Sequence, residues 1–181
     1  MRSLFVSVLT LLFLESYSQQ SDTAFVNPFK WHTEKNDRES LMFLEVAYQR
    51  DNSDSIEFLT ISVAKDRTKA RPEFISVVIP GNIDHSNGVF ITFAKTVIKN
   101  DNPTLELQNE MPVRVNFEHC DSFCTAKVVN GIVMDDDGSK KDLFQKFLTF
   151  DNVLFLFMYP DGTHKSVAVP LSYFRDQYVD L

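Results

Sequence analysis

Apolar and polar residues alternate with a period of two through most of the chain, in short runs separated by turn residues. Phe29–Thr33 is the first such run and Leu41–Gln49 the second. In Glu57–Lys65, Phe58, Thr60, Ser62 and Ala64 share one face, and Leu59, Ile61 and Val63 share the other. Glu73–Ile79 is rich in β-branched residues and stops at Pro80-Gly81, a strong turn signal. Val89–Phe93, Val113–Phe117 and Thr125–Val129 continue the series. Val153–Tyr159 and Lys165–Val169 flank Pro160-Asp161-Gly162, which reads as a hairpin turn. The glycines at 81, 88, 131, 138 and 162 all fall at the breaks. Two stretches carry helical spacing instead: Ser139–Leu148, with Leu143, Phe144, Phe147 and Leu148 on one stripe, and Leu171–Val179.

This pattern predicts an all-β fold, a β-sandwich with one or two short accessory helices. No internal repeat or low-complexity linker interrupts it, so residues 29–181 read as one domain and 19–28 as a loose polar lead-in. Residues 1–18 are different. Arg2, the apolar run Leu4–Leu14 and the small residues Ser16 and Ser18 have the layout of a secretory signal peptide, with export beyond the inner membrane as the expectation. The apolar run is too short to cross a hydrocarbon core of roughly 30 Å. No stable membrane insertion is expected once the signal is removed.

Composition narrows the choice of partner. The chain has 181 residues and a net charge of −7, which argues against nucleic acid, whose phosphates need clustered Lys and Arg. Seventeen Phe against five Gly is the unusual balance. Phe-rich runs such as Leu154-Phe155-Leu156-Phe157 fit a core better than a ligand groove, and a continuous apolar run implies burial on both faces.

Cys120 and Cys124 are the one pair of reactive groups with a suggestive spacing. If Asp121–Phe123 form a three-residue hairpin loop, the two Cα atoms face each other at about 5.5 Å, within disulfide range. In an exported protein a structural disulfide is the expected state. Redox catalysis stays open as an alternative, although the thioredoxin-like pattern has a two-residue spacer opening a helix. His119 beside Cys120 points to the opposite face of a strand, so two thiolates make an incomplete zinc site. The histidines at 32, 85, 119 and 164 are scattered. Asp135-Asp136-Asp137-Gly138 fails as a calcium loop, because Val133 and Phe144 fall where carboxylates are needed. It reads as a polar loop that caps the Ser139 helix. There is no Gly-rich phosphate loop and no Gly-x-Ser-x-Gly elbow. No catalytic residue, metal or cofactor is expected, and no ligand-binding residue is singled out.

The order of these motifs resembles the invasion-associated locus B family of exported bacterial proteins. The residues that carry the resemblance are Trp31, Val77-Val78-Ile79-Pro80-Gly81, Asn87-Gly88-Val89 and Cys120-x-x-x-Cys124-Thr125-Ala126. The predicted Ser139–Leu148 helix, the Val153–Met158 strand and the ending Val169-Pro170-Leu171-Ser172-Tyr173-Phe174 complete it, from about Phe29 to Tyr178. The chain departs from the family where a second cysteine pair is usual, carrying Lys35 and Leu41-Met42 there, and Lys95–Pro112 is longer. The resemblance implies an immunoglobulin-like sandwich in the periplasm or cell envelope, without an established enzymatic activity. The resulting expectation is a non-enzymatic binding or interaction module whose partner is an unknown envelope or host protein. A carrier of small ligands or lipids with a Phe-lined pocket is the alternative, and it requires a cavity of roughly 300 Å³ or more.

Overall fold

The computed structural model describes residues 30–35, 37, 39–50, 54–66, 74–99, 101–108, 111–129, 132–134 and 140–181. The segments read from the sequence as a signal peptide and lead-in, residues 1–28, lie outside the described residues, as does 135–138, read as a capping loop. The strands are β1 His32–Lys35, β2 Glu39–Gln49, β3 Ile56–Asp66, β4 Phe74–Pro80, β5 Val89–Lys99, β6 Asn102–Leu107 and β7 Val113–Val115. After them come β8 Phe117–Cys120, β9 Phe123–Val129, β10 Ile132–Met134, β11 Lys140–Asp142, β12 Asn152–Met158 and β13 His164–Pro170. Two helices, α1 Leu143–Thr149 and α2 Phe174–Val179, complete the mostly β fold.

Six strands form one sheet in the order β1-β2-β3-β4-β9-β8. The second sheet runs β13-β12-β5-β6, with β7 paired to the first half of β5, and β10 and β11 make a separate ribbon. The alternation in β2 and β3 acts as expected. Met42, Leu44 and Val46 and their neighbours Leu59, Ile61 and Val63 are buried on one face, where they join Val77, Phe155 and Phe157 in a single core. Tyr48 of one sheet meets Phe157 of the other edge to face, with ring centroids 5.7 Å apart. The helices close the opposite end from the main turns. Phe174 packs edge-on against Trp31 at 5.0 Å and also meets Phe147.

Four expectations need correction. The run Val113–Phe117 is two strands. It breaks at Asn116, where the chain leaves the five-stranded sheet for the six-stranded one. Helix α1 begins at Leu143 rather than at Ser139, because Asp142 caps it by accepting from the Gln145 N–H at 3.1 Å. Val89–Phe93 is the first half of a longer strand that turns back as β6, which was not anticipated. Leu154 and Leu156 are half-buried on the outer face of β12, while Phe155 and Phe157 fill the core, so the run alternates after all.

Candidate functional site

One end of the molecule gathers four chain reversals: β2 to β3, β4 to β5, β8 to β9 and β12 to β13. The last three are tied to one another or to strand ends by backbone bonds. The Gly81 N–H donates to the Ser122 carbonyl at 2.9 Å, and the Asp84 N–H to the Met158 carbonyl at 2.7 Å. The β12–β13 turn closes through Tyr159 N–H to the Thr163 carbonyl at 2.8 Å, with Gly162 at φ +81°. Asp161 accepts from the Thr163 hydroxyl and N–H, which hold its carboxyl below the usual carboxylate range, and it pairs with Arg50.

Beneath this rim lies a cluster of polar side chains. Tyr48 and Glu57 are direct partners in the β2–β3 register. The Tyr159 hydroxyl donates to Glu57 Oε2 at 3.0 Å, and Asn82 Nδ2 donates to Oε1 at 2.9 Å. The Arg50 guanidinium lies 4.0 Å from the centroid of the Tyr159 ring, a cation–π contact. Burial pushes the Glu57 carboxyl upward, but the hydrogen bonds from Asn82 and Tyr159 and the Arg50 charge outweigh it and hold the group low. Burial and the Glu57 carboxylate push Tyr159 up to about 12, and they push Tyr48 further still. The Tyr48 hydroxyl is buried with no acceptor at hydrogen-bonding geometry, although Glu57 lies opposite it. At neutral pH Glu57 is therefore anionic and both tyrosines are neutral, a state suited to holding hydrogen bonds rather than moving protons.

The cysteines close the same end. Cys120 and Cys124 are joined in a disulfide, with Cα atoms 4.0 Å apart, at the tip of the β8–β9 hairpin. The separation is shorter than the expected 5.5 Å, nearer the spacing of a narrow cross-strand pair than that of a wide one. Cys124 is fully buried against the core. Phe123 is 59% exposed, opposite Pro80 on the outer face of the sheet. Phe58, 52% exposed, and Ile56 stand at the same end of the adjacent strand β3, so an apolar patch borders the disulfide turn.

His119 pairs with Thr125, while Cys120 pairs with Cys124. Among the described residues no group of three His, Cys, Asp or Glu side chains is arranged to hold a metal ion. A shallow hollow of about 10 Å³ lies between β5 and α1, lined by Ile91, Phe93, Val113, Leu143 and neighbours. It is smaller than the roughly 300 Å³ a carrier needs. Among the described residues no helix is long and apolar enough to cross a membrane.

Sequence reasoning placed the cysteines but missed Tyr48, Glu57, Arg50 and Tyr159. One signal was available: Glu57 extends the inward face of Leu59, Ile61 and Val63, and a charge at an inward position needs partners. In comparisons with known proteins, no family model, curated protein or solved structure matches the chain.

Proposed function

We propose that this chain is an exported, non-enzymatic binding module of the cell envelope. In this reading its two sheets have an immunoglobulin-like arrangement, and its relatives are the invasion-associated locus B proteins. The observation that carries the proposal is the exposed patch of Ile56, Phe58 and Phe123 around Pro80, beside turns that are bonded to one another. Apolar side chains held in water by a rigid frame and rimmed by polar groups mark surfaces that bind other proteins. Rigidity lowers the entropy cost of binding, and Asn82, Arg50 and Asp161 supply a polar rim. The signal-like leader in the sequence supports an envelope location, and the resemblance supports the same class.

The test is capture from envelope extract with the purified protein, read by mass spectrometry and compared with a Phe58→Ser, Phe123→Ser double variant. Both side chains face outward, so the variant should fold normally. A partner retained by the wild type and lost by the variant supports the proposal. Equal capture by both proteins removes the patch from consideration, and turnover of a substrate by the wild type would displace the non-enzymatic reading.

A further inference from the structure

The second half of β5 and its partner β6 form an arm that outruns the rest of their sheet. Pairing between β12 and β5 ends at Asn152–Ala94, whereas β5 and β6 stay paired to Lys99–Asn102. The base of the arm is anchored: Asp151 accepts from the Thr96 N–H at 3.0 Å, and Asn152 donates to the Thr96 hydroxyl at 2.9 Å. Every residue of β6 is exposed, from Leu107 opposite Ala94 and Leu105 opposite the Thr96 anchor to Asn102 at the far end, and so is Ile98 of β5. Two strands alone are marginally stable in water, and an exposed apolar edge strand is a template for further pairing.

The register shows which backbone groups are free. The Gln108 N–H donates to the Phe93 carbonyl, so alternate residues of β6, Glu106 and Thr104, also face β5. The N–H and carbonyl groups of Leu105 and Leu107 consequently point away from β5, and among the described elements no strand pairs with them. Pro103 faces the same way, lacking an N–H but offering its carbonyl.

We propose that β6 pairs antiparallel with β6 of a second copy of this chain, about a two-fold axis at Leu105. In that register Leu105 exchanges two hydrogen bonds with its symmetry mate. Each Leu107 N–H reaches the Pro103 carbonyl across the axis, so only the Pro103 donor is missing, one from each copy. Leu105 and Leu107 then share an apolar stripe with Ile98 and their symmetry mates, and Glu106 lies opposite Thr104 rather than another Glu. Charge favours this edge. The arm carries Lys95, Lys99, Asp101 and Glu106, which cancel, in a chain whose net charge of −7 opposes close approach elsewhere. Lys99 and Glu106 already pair within the arm at 3.8 Å. The partner is a second copy because the edge is self-complementary, and the interface is distinct from the Phe58–Phe123 patch.

Sedimentation velocity on the purified protein across a concentration series tests the proposal. A short strand pair buries little surface, so self-association at roughly micromolar concentrations is expected. Leu105→Lys, which sets two like charges together at the axis, should weaken it at least tenfold. A protein that stays monomeric at about 200 µM, or a dimer indifferent to L105K, would overturn the proposal. Should L105K fold poorly by near-ultraviolet circular dichroism, Leu105→Cys decides. Mild oxidation should give a covalent dimer at position 105 and little with Thr104→Cys, whose side chain meets Glu106 instead. No cross-link at 105, or equal cross-linking at both sites, would overturn it as well.

Discussion

The Tyr159 hydroxyl donates to Glu57 Oε2 at 3.0 Å, and that bond links the end of β12 in one sheet to the start of β3 in the other. A tyrosine bonded to a carboxylate between two sheets stabilises only while the carboxylate is charged and the phenol is neutral. Stability should therefore fall off at both ends of the pH scale.

At the acid end the sign follows from Glu57. Its carboxyl is held below the ordinary value of 4.5, so the folded state binds its proton less readily than the unfolded chain. The stabilisation is present above that ordinary value and is lost as the pH falls through the lower, folded value. Urea midpoints measured from pH 7 down to pH 3 should drop in the wild type. In Glu57→Gln the start is lower and the drop shallower. Parallel curves would remove Glu57 from the explanation.

At the alkaline end Tyr159 reaches about 12 in the folded protein against an ordinary 10.0. The unfolded chain releases its proton first, so stability declines as the pH rises between those values. Spectrophotometric titration of the phenolates should show two tyrosines, 48 and 159, ionising late or only on unfolding.

The two hydroxyls should separate on deletion. Tyr159→Phe removes a made hydrogen bond to a charged acceptor and should cost about 1.5–3 kcal/mol in denaturant unfolding. Tyr48→Phe removes a buried hydroxyl without a well-placed acceptor and should cost less than 1 kcal/mol, on the order of zero. A larger loss at Tyr48 than at Tyr159 would reverse the assignment.

Gly81 and Gly88 permit close approach of backbone. A Cβ on Gly81 would sit 2.0 Å from the Asp121 carbonyl oxygen, and one on Gly88 would sit 2.5 Å from that of Val115. Gly88 also has φ +66°, where a side chain is strained. Each Ala substitution should cost at least about 1–3 kcal/mol, the range for overpacking, because the obstruction is main chain. Thermal unfolding of the two variants measures it.

Removing the disulfide should do less. Replacing Cys120 and Cys124 by Ser opens a loop of about five residues, worth roughly 2 kcal/mol at most. For a domain of this size the expected fall in midpoint is about 4–8 °C, with the fold retained. Intact mass without reductant should show the oxidised pair.

Most strands were legible because their two faces meet different surroundings. In β3 the alternation of Phe58, Thr60 and Ser62 with Leu59, Ile61 and Val63 is also the alternation of solvent and core. Strand β6 was not legible, since all its residues are exposed and Pro103 reads as a breaker. The change of sheet at Asn116 was hidden because Val113, Val115 and Phe117 keep their period through it, all packing against the same core from different layers. The disulfide could be read from five consecutive residues. The Glu57 cluster joins residues spread between positions 48 and 159, and its tyrosines occupy inward positions that any large apolar residue could fill.

Asn116 has a mechanical meaning. With one residue between β7 and β8, the five-stranded and six-stranded sheets are consecutive lengths of the same taut chain. Sliding one layer over the other would stretch that link and load the β5–β7 and β8–β9 ladders along their length. Hydrogen bonds strained in parallel yield together rather than in turn. A pull applied between the layers therefore meets a clasp, and the molecule should extend little before it opens.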